Sequence, residues 1–148
     1  MKAKYLAFLL MATLTMSLVS ACGDDDEENA SALVGTWQEE YRIDNGTRYD
    51  YDKDDKDAEV FIFKSDGTGF EGSDDKNLHP EWYWPITWKY NAGKKQLTVT
   101  YAEQSMYWDV YEVTSLTADK MELRWIGDED GSASSQGIEE YIMGLVKK

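Results

Sequence analysis

From Trp82 to Tyr90 an apolar side chain recurs at every second position: Trp82, Trp84, Ile86, Trp88 and Tyr90 fall on one face, Tyr83, Thr87 and Lys89 on the other. A period of two belongs to a strand with one dry face and one wet face, as in antiparallel sheets. The pattern repeats. Leu97, Val99 and Tyr101 alternate with Thr98 and Thr100, and Met121, Leu123 and Trp125 alternate with Glu122 and Arg124. Helical stretches of comparable quality are absent. Ten Tyr, six Trp and four Phe, with only two prolines, fit strands equally well.

Alternation and turn residues together mark eight strand segments, at about 34–43, 58–64, 67–72, 82–90, 96–102, 105–114, 119–127 and 137–146. The last has the weakest pattern and is compatible with some helix. Ser65-Asp66-Gly67-Thr68 between Phe63 and Phe70 is a hairpin signal, because glycine tolerates positive φ. Asn91-Ala92-Gly93 and Thr117-Ala118-Asp119-Lys120 separate later pairs. Short sequential strands joined by hairpins predict an all-β, up-and-down antiparallel meander. Eight of them suffice to close a barrel and remove its edges.

The N-terminus has a different character. Lys2 and Lys4 precede an apolar stretch from Tyr5 to Leu18, and small residues follow up to Cys22. A positive start, a short apolar core and a small-residue cleavage site make an export signal over residues 1–21. The apolar part is shorter than the ~20 residues that span a bilayer. Val19-Ser20-Ala21-Cys22 resembles a lipobox, which implies cleavage before Cys22, diacylglycerol on its sulfur and a further acyl chain such as palmitate on the new amine. Two or more chains anchor stably where one does not. Cys22 is the only cysteine, so no internal disulfide can form.

Residues 22–32 then read as a lipidated acidic tether. The run Gly23-Asp24-Asp25-Asp26-Glu27-Glu28 suits a solvated spacer, and it also resembles the acidic tag that sends certain lipoproteins through the Gram-negative outer membrane. The expected location is therefore the outer membrane, facing outward, with the periplasmic face as the alternative.

The chain has 15 basic and 29 acidic residues; removing Lys2 and Lys4 with the leader leaves 13 against 29, a net of −16. Nucleic-acid affinity rests on Lys and Arg neutralising phosphates, so nucleic acid is not an expected partner. The same balance argues against docking on an anionic membrane by charge.

Leu33-Val34-Gly35-Thr36-Trp37, opening the first strand, resembles the Gly-x-Trp start of lipocalins. Phe63-Lys64-Ser65-Asp66-Gly67-Thr68, Thr87-Trp88-Lys89-Tyr90, Leu97-Thr98-Val99 and Leu116-Thr117-Ala118-Asp119-Lys120-Met121-Glu122-Leu123 resemble, in order, pieces of the lipocalin-like domain of small bacterial lipoproteins. The resemblance implies an eight-stranded lipocalin-like barrel over residues 33–148. Lipocalins also carry a late basic residue over the opening Trp, for which Arg124, Lys147 and Lys148 are the candidates.

In such a barrel alternate loops share an end. The loops near 44–57, 73–81, 103–104 and 128–136 gather at one end and are mostly long; 65–66, 91–95 and 115–118 gather at the other and are short. Long loops on a rigid scaffold tend to carry binding residues. Counting also brings the tether in at the short-loop end, so the mouth points away from the anchor. Trp82 and Trp84, near the mouth, and Met106 and Trp108, starting from the same end, are the expected inward ligand contacts, with Tyr49 and Tyr51 on the first long loop. Trp37 should close the floor.

Catalytic signatures are missing: one histidine, His79, in a loop before Pro80, no thiol beyond Cys22, no Gly-x-Ser-x-Gly elbow and no phosphate-cradling glycine loop. Asp50, Asp52, Asp54, Asp55 and Asp57, and Asp128, Glu129 and Asp130, crowd two mouth loops but lack the spacing of a calcium loop, so a solvated acidic rim is expected rather than a metal site. No cofactor is expected. The sequence therefore points to non-catalytic binding of a small apolar or amphipathic ligand inside a barrel. The alternatives are a carbohydrate-binding module, with Tyr83, Tyr107 or Tyr111 stacking on sugars from the outer face, and a protein-interaction module.

Overall fold

The computed structural model describes residues 30–73, 83–102, 108–127 and 140–148. Nine strands follow in order: β1 Gly35–Asp44, β2 Thr47–Asp50, β3 Glu59–Phe63, β4 Thr68–Ser73, β5 Trp84–Asn91, β6 Gln96–Tyr101, β7 Trp108–Leu116, β8 Lys120–Gly127 and β9 Tyr141–Lys147. All pairings are antiparallel, and β9 pairs back onto β1 through Trp37↔Lys147, Met143↔Arg42 and Tyr141↔Asp44. The ring β1-β3-β4-β5-β6-β7-β8-β9 is thus a closed eight-stranded barrel, as the alternation predicts, and closure leaves no barrel strand with an unpaired edge.

The ninth strand, β2, pairs with β1 alone among the described residues. It occupies what the sequence reading treats as the first long loop. Asn45 and Gly46 both take positive φ, 46° and 79°, as a type I′ two-residue hairpin requires, between the paired residues Asp44 and Thr47. The final segment, Tyr141–Lys147, is a strand with no helix in it. A bulge at Glu40 lets Glu39 and Arg42 both stand in the inner row of β1.

The apolar half of the interior lies toward the short loops. Trp37, Phe61, Phe63, Leu97, Val99, Leu123, Met143 and Leu145 are buried there with Leu33. Phe61 stacks on Phe63, and Trp88 meets Phe63 edge-on at 5.3 Å. The Trp88 indole N–H donates to the carbonyls of Lys64 and Thr68, tying β5 to the β3–β4 hairpin. A single helical turn at residues 30–33 plugs this end: Leu33 is fully buried, and its carbonyl accepts a 2.7 Å bond from Trp37 Nε1. The Lys147 ammonium sits 5.1 Å from the Trp37 ring centroid, which selects Lys147 among the three late basic candidates. Among the described residues, the buried apolar side chains run from Leu33 to Leu145.

Candidate functional site

The other half of the interior is polar. In the inner row above Trp37 and Phe61 stand Glu39, Arg42, Glu59, Glu71, Tyr101, Asp109 and Tyr141, drawn from six strands whose register brings them to the long-loop end. Phe61↔Glu71, Ile86↔Tyr101 and Val99↔Asp109 are the pairs that fix Glu71, Tyr101 and Asp109 on the inner face.

Two linked clusters result. In the first, the Arg42 guanidinium donates Nε–H to Glu39 Oε1 at 2.8 Å and an Nη2–H to Glu39 Oε2 at 2.9 Å, and lies 3.3 Å from Glu59 Oε1. Glu39 Oε2 also accepts the Glu59 backbone N–H at 3.0 Å. Tyr51 and Tyr141 flank the same guanidinium, each with its ring centroid 5.5 Å away. Burial works against the Arg42 charge, but the Glu39 hydrogen bonds and the surrounding acids outweigh it and hold the proton more firmly than usual. Burial raises the Glu59 carboxyl to about 6; Arg42 opposes that rise, while Glu39 and Asp109 add to it.

In the second cluster the Tyr101 hydroxyl lies 2.7 Å from Glu71 Oε2 and 3.1 Å from Asp109 Oδ2, and Trp125 Nε1 donates to Asp109 Oδ1 at 2.9 Å. Burial pushes the Glu71 carboxyl up to about 8 against the lowering effect of the Tyr101 bond, with Glu59 and Asp109 adding to the rise. Tyr101 has one proton to give. A protonated Glu71 supplies the second, so both contacts can be hydrogen bonds.

These residues face inward, yet solvent reaches some of them. The side chains of Arg42 and Glu59 keep 23% and 30% of their exposure, and Glu71, Tyr101 and Asp109 are half-buried. A closed barrel admits water to inward side chains only through its interior. Among the described residues, the long-loop end is therefore a polar cup above an apolar, packed floor.

Of the residues expected at the mouth, Trp84 stands in the inner row opposite Glu71 and is 51% exposed. Tyr49 lies on β2 opposite Arg42 and is 50% exposed, and Tyr51 is half-buried against Arg42. Trp108 needs correcting: it pairs with Thr100, on the outward row of β6, so it faces away from the interior. The same register corrects Tyr111, which pairs with Leu97 and Trp125 and is buried inside rather than offered from the outer face. Both errors come from one choice. Met106, Trp108 and Val110 look like the inner row because Asp109 looks like a surface residue, whereas Asp109, Tyr111 and Val113 point in. Trp82, Met106, His79, Tyr107, Cys22 and Asp128 to Asp130 lie outside the described residues. Among the described residues no three His, Cys, Asp or Glu side chains are arranged to hold a metal ion, and no helix is long and apolar enough to cross a membrane.

Glu39, Arg42, Glu59, Glu71, Tyr101 and Asp109 form the cup, and sequence reasoning misses them. The signal was present: an acid two residues from an inward glycine or tyrosine shares that residue's face.

Residues 33–123 match the family described as the lipocalin-like domain, a span that runs from before β1 into β8. No curated protein and no solved structure matches the chain. The closed eight-stranded antiparallel barrel, the opening Trp37 beneath a late lysine and a family match over more than half the chain together say that this protein belongs to the lipocalin-like domain family.

Proposed function

We propose that the domain binds a small amphipathic ligand, without chemistry, in the cup at the long-loop end. The observation that carries this reading is that Glu59, Glu71, Tyr101 and Arg42 are inward-facing yet reached by solvent. The apolar floor is filled by its own side chains, which leaves no depth for a long hydrocarbon tail. The ligand's polar end therefore points inward onto the Glu71–Tyr101 and Arg42–Glu59 groups, and its apolar part lies along Trp84 and Tyr49 at the lip. Among the described residues, the interior carboxylates outnumber the one arginine even with Glu71 protonated, which favours a neutral or cationic head and disfavours an anion. A sugar terminus inserted into the cup is the second reading, favoured by the same hydrogen-bonding wall; stacking on the outer face loses Tyr111 as a platform.

The test is tryptophan fluorescence of residues 23–148 titrated with dodecylamine, dodecanol and dodecanoate at micromolar concentration. A saturable change with the amine or alcohol, weakened in Trp84→Ala and absent with dodecanoate, supports the cup. Tighter binding of dodecanoate contradicts it.

The leader at 1–21, the lipobox at Cys22 and the acidic run support an outer-membrane lipoprotein facing outward. The helical turn at 30–33 meets the barrel at its floor, so an anchor at Cys22 would leave the cup facing away from the membrane. Loss of palmitate labelling in Cys22→Ser checks the anchor, and protease shaving of intact cells checks the exposure.

A further inference from the structure

The barrel closes without β2. Strand β9 pairs with β1 from Trp37 to Asp44 and β3 pairs with it from Gly35 to Gln38, so β2 is an extra strand laid along the upper part of β1. Its other edge has no partner among the described residues, and all four of its residues are exposed. One bond fixes the parity of that edge. The Tyr51 N–H donates to the Glu40 carbonyl at 2.9 Å, so Thr47, Tyr49 and Tyr51 turn their backbone groups toward β1. Arg48 and Asp50 therefore turn theirs outward, each offering one N–H and one C=O. Their side chains share the outer face, opposite Ile43 and Tyr41, and the Arg48 guanidinium lies 3.9 Å from the Tyr41 ring centroid. Arg48 Nε and Nη2 both reach Asp50 Oδ1 at 2.8 Å, which leaves Asp50 Oδ2 without a partner among the described residues.

We infer that the occupant of this edge is the same edge of a second copy of the chain, paired antiparallel about a twofold axis through Tyr49. Three observations carry it. In that register Arg48 lies opposite the partner's Asp50, and Asp50 opposite the partner's Arg48, so each charge meets its opposite. The backbone parity agrees, because Arg48 and Asp50 are the residues whose N–H and C=O face the edge and they become the hydrogen-bonded pairs. Asp50 Oδ2 is also left for the partner's Arg48. Sliding the register by two residues keeps the parity but sets Arg48 against Arg48 or Asp50 against Asp50. The charges therefore select one pairing. Tyr49 stands opposite the inward Arg42 at the lip of the cup, so the axis passes between two adjoining lips. A four-residue edge buries less than the roughly 1,200 Å² of a standard interface, and the dimer is a transient one.

The experiment follows the amide resonances of residues 23–148, which keep every strand of the barrel, from about 0.05 to about 1 mM protein, a range suited to weak association. Salt is held at about 0.15 M, where the net negative charges of two chains are screened beyond about 8 Å but contacting pairs are not. Pairing predicts shifts at Arg48, Tyr49 and Asp50 that grow with concentration, while Trp108 and Leu123 stay unmoved. Arg48→Asp makes the edge wholly acidic and Asp50→Arg makes it wholly basic, so each alone should weaken association by about tenfold or more. Mixed in equal amounts, the two variants present opposite charges at every pair and should associate at least as tightly as the parent. Asp50→Pro removes a donor that faces away from β1, and should abolish the concentration dependence with the barrel resonances in place. No dependence on concentration, a mixture no tighter than either variant alone, or shifts centred on another face would each overturn the inference.

Discussion

The Lys147 ammonium lies 5.1 Å above the Trp37 ring while the Trp37 indole N–H holds the Leu33 carbonyl at 2.7 Å, so one tryptophan joins the first turn, the first strand and the last strand. This contact closes the barrel floor. Trp37→Phe removes the indole donor and leaves the buried Leu33 carbonyl unsatisfied, with an expected loss of about 2–4 kcal/mol. Lys147→Met keeps the packing and removes the charge, and should cost about 1 kcal/mol. Urea unfolding of the two variants checks the order; a larger loss for Lys147→Met would contradict it.

Among the described residues, Arg42 is the one cation beside four acids in the cup. Arg42→Met leaves Glu39 buried and unpaired, which should destabilise the domain by about 3–5 kcal/mol. The loss should shrink on acidification, as Glu59, raised by burial to about 6, takes up a proton. Thermal melts at pH 7 and pH 4.5 would show it, and an equal loss at both values would argue that packing, not charge, is what Arg42 supplies.

Glu71 gives the stability a defined pH dependence. Its folded carboxyl is raised to about 8 from an ordinary 4.5, so between those values the folded state holds a proton that the unfolded state has released. The unfolded state binds fewer protons there, and stability falls as pH rises through the window. Glu59, raised to about 6, adds a decline confined to the lower part. Glu71→Gln removes the larger contribution: it should gain stability over the parent at pH 8.5 and differ little from it at pH 5. A parent whose stability rises from pH 5 to pH 8.5 would contradict this assignment.

At the β1–β2 turn, Gly46 has φ of 79° with open space around the missing Cβ. Gly46→Ala therefore tests backbone conformation alone and should cost about 1 kcal/mol. Gly144 is the contrast: a Cβ there would meet the Tyr41 ring at 2.0 Å. Gly144→Ala must displace that ring from its contact with β9 and from its hydrogen bond to Glu122. Its larger loss should appear in the same melts.

The barrel was legible because one physical rule, alternation, governs every wall strand, and because the Ser65-Asp66-Gly67 turn announces its own geometry. Asn45-Gly46 is an equally explicit turn, but the acids that follow it have the composition of a loop. The cup was harder for a physical reason. Its members are charged, and binary patterning assigns charge to the outside; Glu71 and Asp109 stand inside because they share the Tyr101 hydroxyl, and Arg42 because Glu39 and Glu59 hold it. Only the pairing register reveals that, and it also moved Trp108 out and Tyr111 in. Trp84 sat near the expected opening because strand order alone fixes which end of β5 is the mouth.

The most direct test of the cup is the NMR footprint of dodecylamine on residues 23–148. The account predicts shifts confined to Trp84, Tyr49, Glu59, Glu71, Tyr101, Tyr141 and the Arg42 guanidinium, and weakened in Glu71→Gln. Shifts centred on Trp108 and the outward row of β6, or on the short-loop floor, would place binding elsewhere and contradict it.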